Sequence, residues 1–275
     1  MYFEGGFEVR IHILHTGKVQ IDRALAYKEL GLHPAPFTGW FRNSGKKIWV
    51  PVSSYLIEHP KGLILVDAGW HEDMRVNQRK HLGSLAFSMF KGELPKGHSV
   101  AERLNHLGIK ARDLDYVILS HMHSDHVSGI KHVQDAKNIL VSDIEWKVAH
   151  KKLGYIQSMW KDVPISTFRF TDIPYGPYKR GYDLFGDNSL YIVHTPGHSA
   201  GLVALMVKME KGWVVLANDV GYSEKSWTQM ILPGITTDRT AAYDSLKWLH
   251  NFAKREECVR IICNHDPAIV PEIIR

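Results

Sequence analysis

An α/β chain of the mixed (α+β) kind, with two packed mixed sheets and helices outside, is predicted by three features of the sequence. Apolar runs of strand length are interspersed with capped helical stretches instead of being segregated from them. Two strand-turn-strand signatures, one turning at Lys61 and Gly62 and the other at Lys211 and Gly212, echo each other. Each is followed by an aspartate beyond its second strand, Asp67 and Asp219, so the echo predicts two related halves that each supply a sheet.

In order, residues 8–14 alternate and stop before Gly17, as a first strand does. Residues 23–47 are rich in Gly, Pro and aromatics and read as a loop region. Residues 48–57, a turn at 59–62 and residues 63–67 form the first hairpin. The stretch 71–97 has no settled periodicity; its apolar side chains, among them Phe87, Met89 and Phe90, either cover the core or form a lid over an apolar substrate. Ser99 and Glu102 are spaced as a capping box for a helix that stops at Gly108. Strands follow at 116–119 and 138–142, with Asp143 as the cap of a helix through about His150. Residues 151–186 read as irregular, but without a Ser/Gly linker, so 1–275 is taken as one domain. Strand signals resume at 190–194, 202–209 and 213–217. Asp238 caps a helix to about Arg255, and 259–263 is the last strand.

The 275 residues are 44% hydrophobic and 23% charged, which excludes disordered and collagen-like classes and supplies a sizeable core. Residues 1–8 carry Glu4 and Glu8 where a signal peptide needs a basic flank, and no apolar run reaches membrane-spanning length. A cytoplasmic location with no membrane partner is the expectation. The net charge of +5 comes from scattered doublets such as Lys46 with Lys47 and Lys151 with Lys152, a solvated surface more than a phosphate track, so nucleic acid is disfavoured as a partner. The two cysteines, Cys258 and Cys263, would lie roughly 16 Å apart along a strand, beyond the ~7 Å a disulfide tolerates, and are expected reduced and buried. Without a Cys-x-x-Cys pair, any metal must be held by nitrogen and oxygen.

The densest chemistry follows the strand 116–119, where His121, His123, Asp125 and His126 fall within six positions. In extended backbone His121 and His123 share a face, with Cα atoms roughly 6.6 Å apart, so one ion fits between them. Asp125 and His126 come after the extended register breaks and turn towards a second point. Neutral imidazole and carboxylate suit zinc, with iron or manganese as alternatives. Of the 17 histidines most are ordinary core or surface residues, but four ligand-type side chains in one window are not. His198, Asp219 and His265 each sit in a turn directly after a strand, where they can converge on the same place.

The pattern His-x-His-x-Asp-His, followed by a distant Thr-Pro-Gly-His, an Asp and a His, resembles the metallo-β-lactamase superfamily over about residues 48–265. The resemblance implies an αββα sandwich with two metal ions at the sheet edges. It assigns His121, His123 and His198 to one ion, Asp125, His126 and His265 to the other, and Asp219 as the bridge. Within the superfamily the chain is most similar to N-acyl homoserine lactone lactonases, through Tyr222 three residues after Asp219, the Leu94-Pro95-Lys96 segment and the strand around residues 52–58. It departs from many members in having Leu202 where a second histidine follows Thr-Pro-Gly-His, and residues 23–47 find no match.

The implied reaction is lactone hydrolysis by a hydroxide bridging two divalent ions, with Tyr222 donating to the oxyanion and Asp125 delivering a proton to the leaving alkoxide. Rival readings are hydrolysis of thioesters, phosphodiesters or phosphonates on the same site, or nucleic-acid processing. The flavin-dependent iron enzymes of the superfamily resemble His-x-Glu-x-Asp, whereas His123 stands at the Glu position here, and 275 residues leave no room for a flavin domain.

Overall fold

The computed structural model describes residues 8–29, 31, 35 and 37–275. Residues 1–7, and with them most of the start read for a signal peptide, lie outside the described residues, as do five positions of the predicted 23–47 loop.

Among the described residues, fourteen strands build two sheets. They are β1 (Arg10–Asp22), β2 (Lys47–His59), β3 (Gly62–Val66), β4 (Lys91–Glu93), β5 (Tyr116–Ile118), β6 (Ile139–Ser142), β7 (Ile165–Phe168), β8 (Thr171–Asp172), β9 (Arg180–Asp183), β10 (Leu190–His194), β11 (Val203–Met209), β12 (Gly212–Asn218), β13 (Cys258–Cys263) and β14 (Ile273–Ile274). The first sheet runs β14-β1-β2-β3-β5-β6-β7, with β4 also paired to β1; the second runs β13-β12-β11-β10-β9-β8. Strand β3 continues in parallel into β5, β6 and β7, and β12 pairs in parallel with β13, so both sheets are mixed. The two hairpins seen as an echo, β2-β3 and β11-β12, indeed fall in different sheets.

Side-chain alternation explains the layers. Ile11, Ile13, Tyr55, Ile57, Ile64 and Val66 point from the first sheet into one core shared with Leu205, Val207, Val214 and Leu216 of the second. The intervening Leu56 and Leu65 face the other way, into a cluster with Val100 and Leu104 of the helix Val100–His106. On the far side of the second sheet, Met206, Val215 and Ala217 bury Leu246, Leu249 and Phe252 of the helix Arg239–Phe252. A period of two on both sheets thus produces helix, sheet, sheet, helix.

Several boundaries differ from the sequence reading. Strand β1 runs eight residues beyond Leu14, because a register shift between His15 and Lys18 absorbs Thr16 and Gly17 instead of ending the strand. The stretch 71–97 is ordered: it forms helices Asp73–Val76 and Gln78–Met89 and then β4. Its periodicity is hidden because Gly83, at φ 78°, kinks the second helix and Leu85 faces solvent. The stretch 151–186 holds β7, β8 and β9, which are short and partly exposed. Ser142, not Asp143, caps the helix Asp143–Ala149, accepting from the Glu145 N–H at 3.1 Å; Asp143 is its first helical residue. The Ser99 and Glu102 capping box is present. Both thiols are free, but only Cys263 is buried; Cys258 is half-buried at the start of β13.

Candidate metal centre

All seven predicted ligand-type residues arrive at one place, on loops that leave the carboxyl ends of β5, β10, β12 and β13. After β5 the chain stays extended through His123, at φ −69° and ψ 156°, and then closes the short turn of helix Ser124–Val127. That change of backbone sends Asp125 and His126 to a different point from His121 and His123. The loop bearing His198 needs Gly197: at φ 136° it lies against the helix Arg239–Phe252, where an added Cβ would stand 2.3 Å from the backbone of Ala242. Asp219 is aimed by Asn218, which ends β12 in the left-handed region at φ 49°, a conformation Asn tolerates better than most residues.

His121 Nε2 lies 3.0 Å from His123 Nδ1, which lies 2.9 Å from His198 Nε2. His265 Nε2 is 3.3 Å from Asp125 Oδ2 and 3.4 Å from Asp219 Oδ2. Asp219 stands between the groups, with Oδ2 3.5 Å from His198 Nε2 and Oδ1 3.3 Å from His126 Nε2. Ligand atoms held roughly 2.0–2.1 Å from a tetrahedral ion stand ~3.3 Å from one another, so these spacings are close to those of a coordination shell.

The donor set fits divalent ions on chemical grounds too. Three imidazole nitrogens face one another in a buried space, and neutral rings cannot place a hydrogen bond in every gap between them. His126 Nε2 and Asp219 Oδ1 are buried and face each other at 3.3 Å without the alignment of a hydrogen bond, a costly state that a cation would relieve. Burial, reinforced by neighbouring imidazoles, holds His121 well below the usual histidine range and brings His198 down to about 4, so both rings are neutral and ligand-competent. In the other group, burial opposes charge, but Asp219 and Asp125 override it and push His265 up to about 10. The two carboxylates therefore demand positive charge at this point.

A layer of buried groups that the sequence reading did not assign orients the rings. Asp67 Oδ2 accepts from His126 Nδ1 at 2.7 Å, which turns Nε2 towards Asp219. Asp67 itself is held by the backbone N–H and hydroxyl of Ser120, each at 2.7 Å. His265 Nδ1 donates to the Pro51 carbonyl at 2.7 Å, fixing the tautomer that turns Nε2 inward. Fully buried Glu145 accepts from the Met122 and Gly201 N–H groups and the Ser199 and Tyr155 hydroxyls, tying the loop of His121 and His123 to the loop of His198. The only advance signal for any of these was the position of Asp67, equivalent to Asp219 in the hairpin echo. Tyr222 is buried with its ring stacked on His265 at 5.1 Å, and burial with the charges of Asp219 and Asp125 keeps its hydroxyl protonated.

The metallo-β-lactamase superfamily model matches residues 48–251. An N-acyl homoserine lactonase AttM of Azorhizobium caulinodans is 28% identical over 236 residues, 84% of this chain and 87% of that one. An N-acyl homoserine lactonase of Bacillus cereus is 24% identical across 94% of this chain and 93% of its own length. Among solved structures, an N-acyl homoserine lactone hydrolase with the product N-hexanoyl-L-homoserine bound at its catalytic metal centre superposes with a TM-score of 0.78 at 24% identity, covering 96% of this chain and 98% of that one. AidC, a dizinc quorum-quenching lactonase, gives 0.65 at 16% identity over 95% and 88% of the two chains.

Proposed function

Because the chain belongs to the metallo-β-lactamase superfamily, we propose that it is a dinuclear metal-dependent hydrolase that opens the lactone ring of N-acyl homoserine lactones. The observation that carries the reading is the convergence of seven imidazole and carboxylate side chains at the ends of four strands. The names of its relatives support the substrate class.

His121, His123 and His198 would hold one ion, Asp125, His126 and His265 the other, with Asp219 shared between them. Zinc suits this nitrogen and oxygen set, and a dizinc relative supports it; iron or manganese would also be accepted. When bound, two such ions supply Lewis acidity and bring water to hydroxide near neutral pH. The remaining work falls to the chain. Asp67, Ser120 and the Pro51 carbonyl hold the imidazoles in one tautomer. The protonated Tyr222 hydroxyl donates to the oxygen on which negative charge develops. Asp125 carries a proton to the alkoxide as the acyl C–O bond breaks. One water is consumed, and the products are a carboxylate, an alcohol and one proton. Residues 1–275 would form a single hydrolase domain, and the two free thiols agree with a reducing cytoplasm.

The test is proton release on ring opening, measured across short and long acyl chains beside thioester and phosphodiester controls. Turnover of lactones above all controls supports the reading. Good turnover of a control with none of any lactone leaves the family assignment standing and removes the lactonase.

A further inference from the structure

A second group of metal-competent side chains lies outside this centre. His71 follows the loop after β3, Asp73 opens the helix Asp73–Val76, and His81 sits on the first turn of the helix Gln78–Met89. They line a cavity of about 520 Å³ together with Ser128, Lys80, Lys131 and Met159. Asp73 Oδ2 is 3.3 Å from His71 Nδ1 and 3.5 Å from His81 Nδ1, again close to the ~3.3 Å that separates ligands on a tetrahedral ion.

We propose that His71, Asp73 and His81 form a separate site for one borderline divalent transition-metal ion such as zinc, with water completing the coordination. The tautomers suit it. The Asp73 N–H donates to His71 Nδ1 at 3.1 Å, so the His71 lone pair is on the atom that faces the cluster. Because Asp73 is largely exposed, water can take over that N–H when an ion takes the lone pair. Ser128 Oγ accepts from the backbone N–H of His71 at 2.9 Å and lies 2.7 Å from His81 Nε2; with the His81 proton on Nε2, its Nδ1 lone pair faces Asp73. Here one hydroxyl does what Asp67 does for His126: it holds a ligand from behind.

Neighbouring side chains also bear on the site. His132 stacks on His71 with ring centroids 4.3 Å apart and fixes the plane of that ring. The ammonium groups of Lys80 and Lys131 repel a hard cation held only by charge. Two imidazoles among three donors therefore select zinc, copper or nickel over magnesium or calcium. An occupied site would clamp the helix Gln78–Met89 to Ser128, the residue after the turn that carries Asp125 and His126. The site would thus be structural, tying the segment 71–89 to the body of the protein.

The test counts metal by difference, independently of how many ions the main centre holds. Whole protein is equilibrated with buffered zinc, and bound metal is measured by mass spectrometry for wild type, Asp73→Asn and the double variant His71→Asn with His81→Gln. Wild type should carry one equivalent more than the double variant, and Asp73→Asn should bind that equivalent at least about tenfold more weakly. Zinc should also slow amide exchange over residues 71–89 in wild type and not in the double variant. The exposed Asp73→Asn keeps the test valid if the double variant does not fold. Equal metal content in wild type and Asp73→Asn at every zinc level, with unchanged exchange, overturns the proposal.

Discussion

Asp67 and His126, 59 residues apart and both fully buried, meet through a 2.7 Å hydrogen bond on the side of the imidazole away from Asp219. Asp67→Asn puts an amide where a carboxylate oxygen now accepts, and the amide can present a second donor to His126 Nδ1–H. Loss of an outer-shell partner of this kind typically costs 10–100-fold in metal affinity, so chelator competition should show roughly that loss, with lactone turnover falling in parallel.

Asp219 serves both groups, so Asp219→Ala should release metal from both. A shared carboxylate is what reduces repulsion between two dications. Metal content per chain, with the contribution of the His71 cluster subtracted, is the measurement; unchanged occupancy of both positions would contradict a bridging role.

Tyr222→Phe removes the proposed oxyanion donor and keeps the ring stacked on His265. We expect kcat to fall by roughly tenfold, less than the ~10²–10³ found where such a donor acts without help, because ions would share the charge. Metal content should not change. Asp125→Asn should cost more, since it alters a proposed ligand and the proposed proton carrier together.

Glu145→Ala leaves two backbone N–H groups and two hydroxyls without their buried acceptor. Each orphaned group costs about 1–3 kcal/mol, less where water or a neighbour compensates, so denaturant unfolding should show a loss of at least about 2 kcal/mol. His121, His123 and His198 should also lose metal affinity, as the loops that carry them separate.

Phe87 and Phe90 pack partly buried against the core cluster that contains Tyr222. If they line an acyl groove, each added methylene contributes about 0.8 kcal/mol, so kcat/KM should rise several-fold per pair of carbons and then level off. A flat dependence on chain length would remove them from substrate binding.

The site was legible where its information is local. His121 to His126 declare themselves because one backbone transition, from strand to helical turn, sorts four ligand-type side chains within six residues. His198, Asp219 and His265 were legible as turn residues after strands, a pattern the parallel and antiparallel pairings then bring together. Asp67 and Glu145 were not, because what they do depends on partners tens of residues away: a buried carboxylate reads the same in sequence whether it orients a ring or only solvates a loop. The helix Gln78–Met89 was missed for a different reason. Its kink at Gly83 and the outward-facing Leu85 erase the periodicity by which helices are recognised.

His121, His123, Asp125 and His126 hang from the first sheet, whereas His198, Asp219 and His265 hang from the second. Neither proposed ion has all its donors on one sheet, so each would act as a rivet through the sandwich. The affinity of the ions then adds to the cohesion of the two halves. A chelator should lower the unfolding temperature as well as silence the enzyme, and a polypeptide severed between β7 and β8 should reassemble more tightly when zinc is supplied.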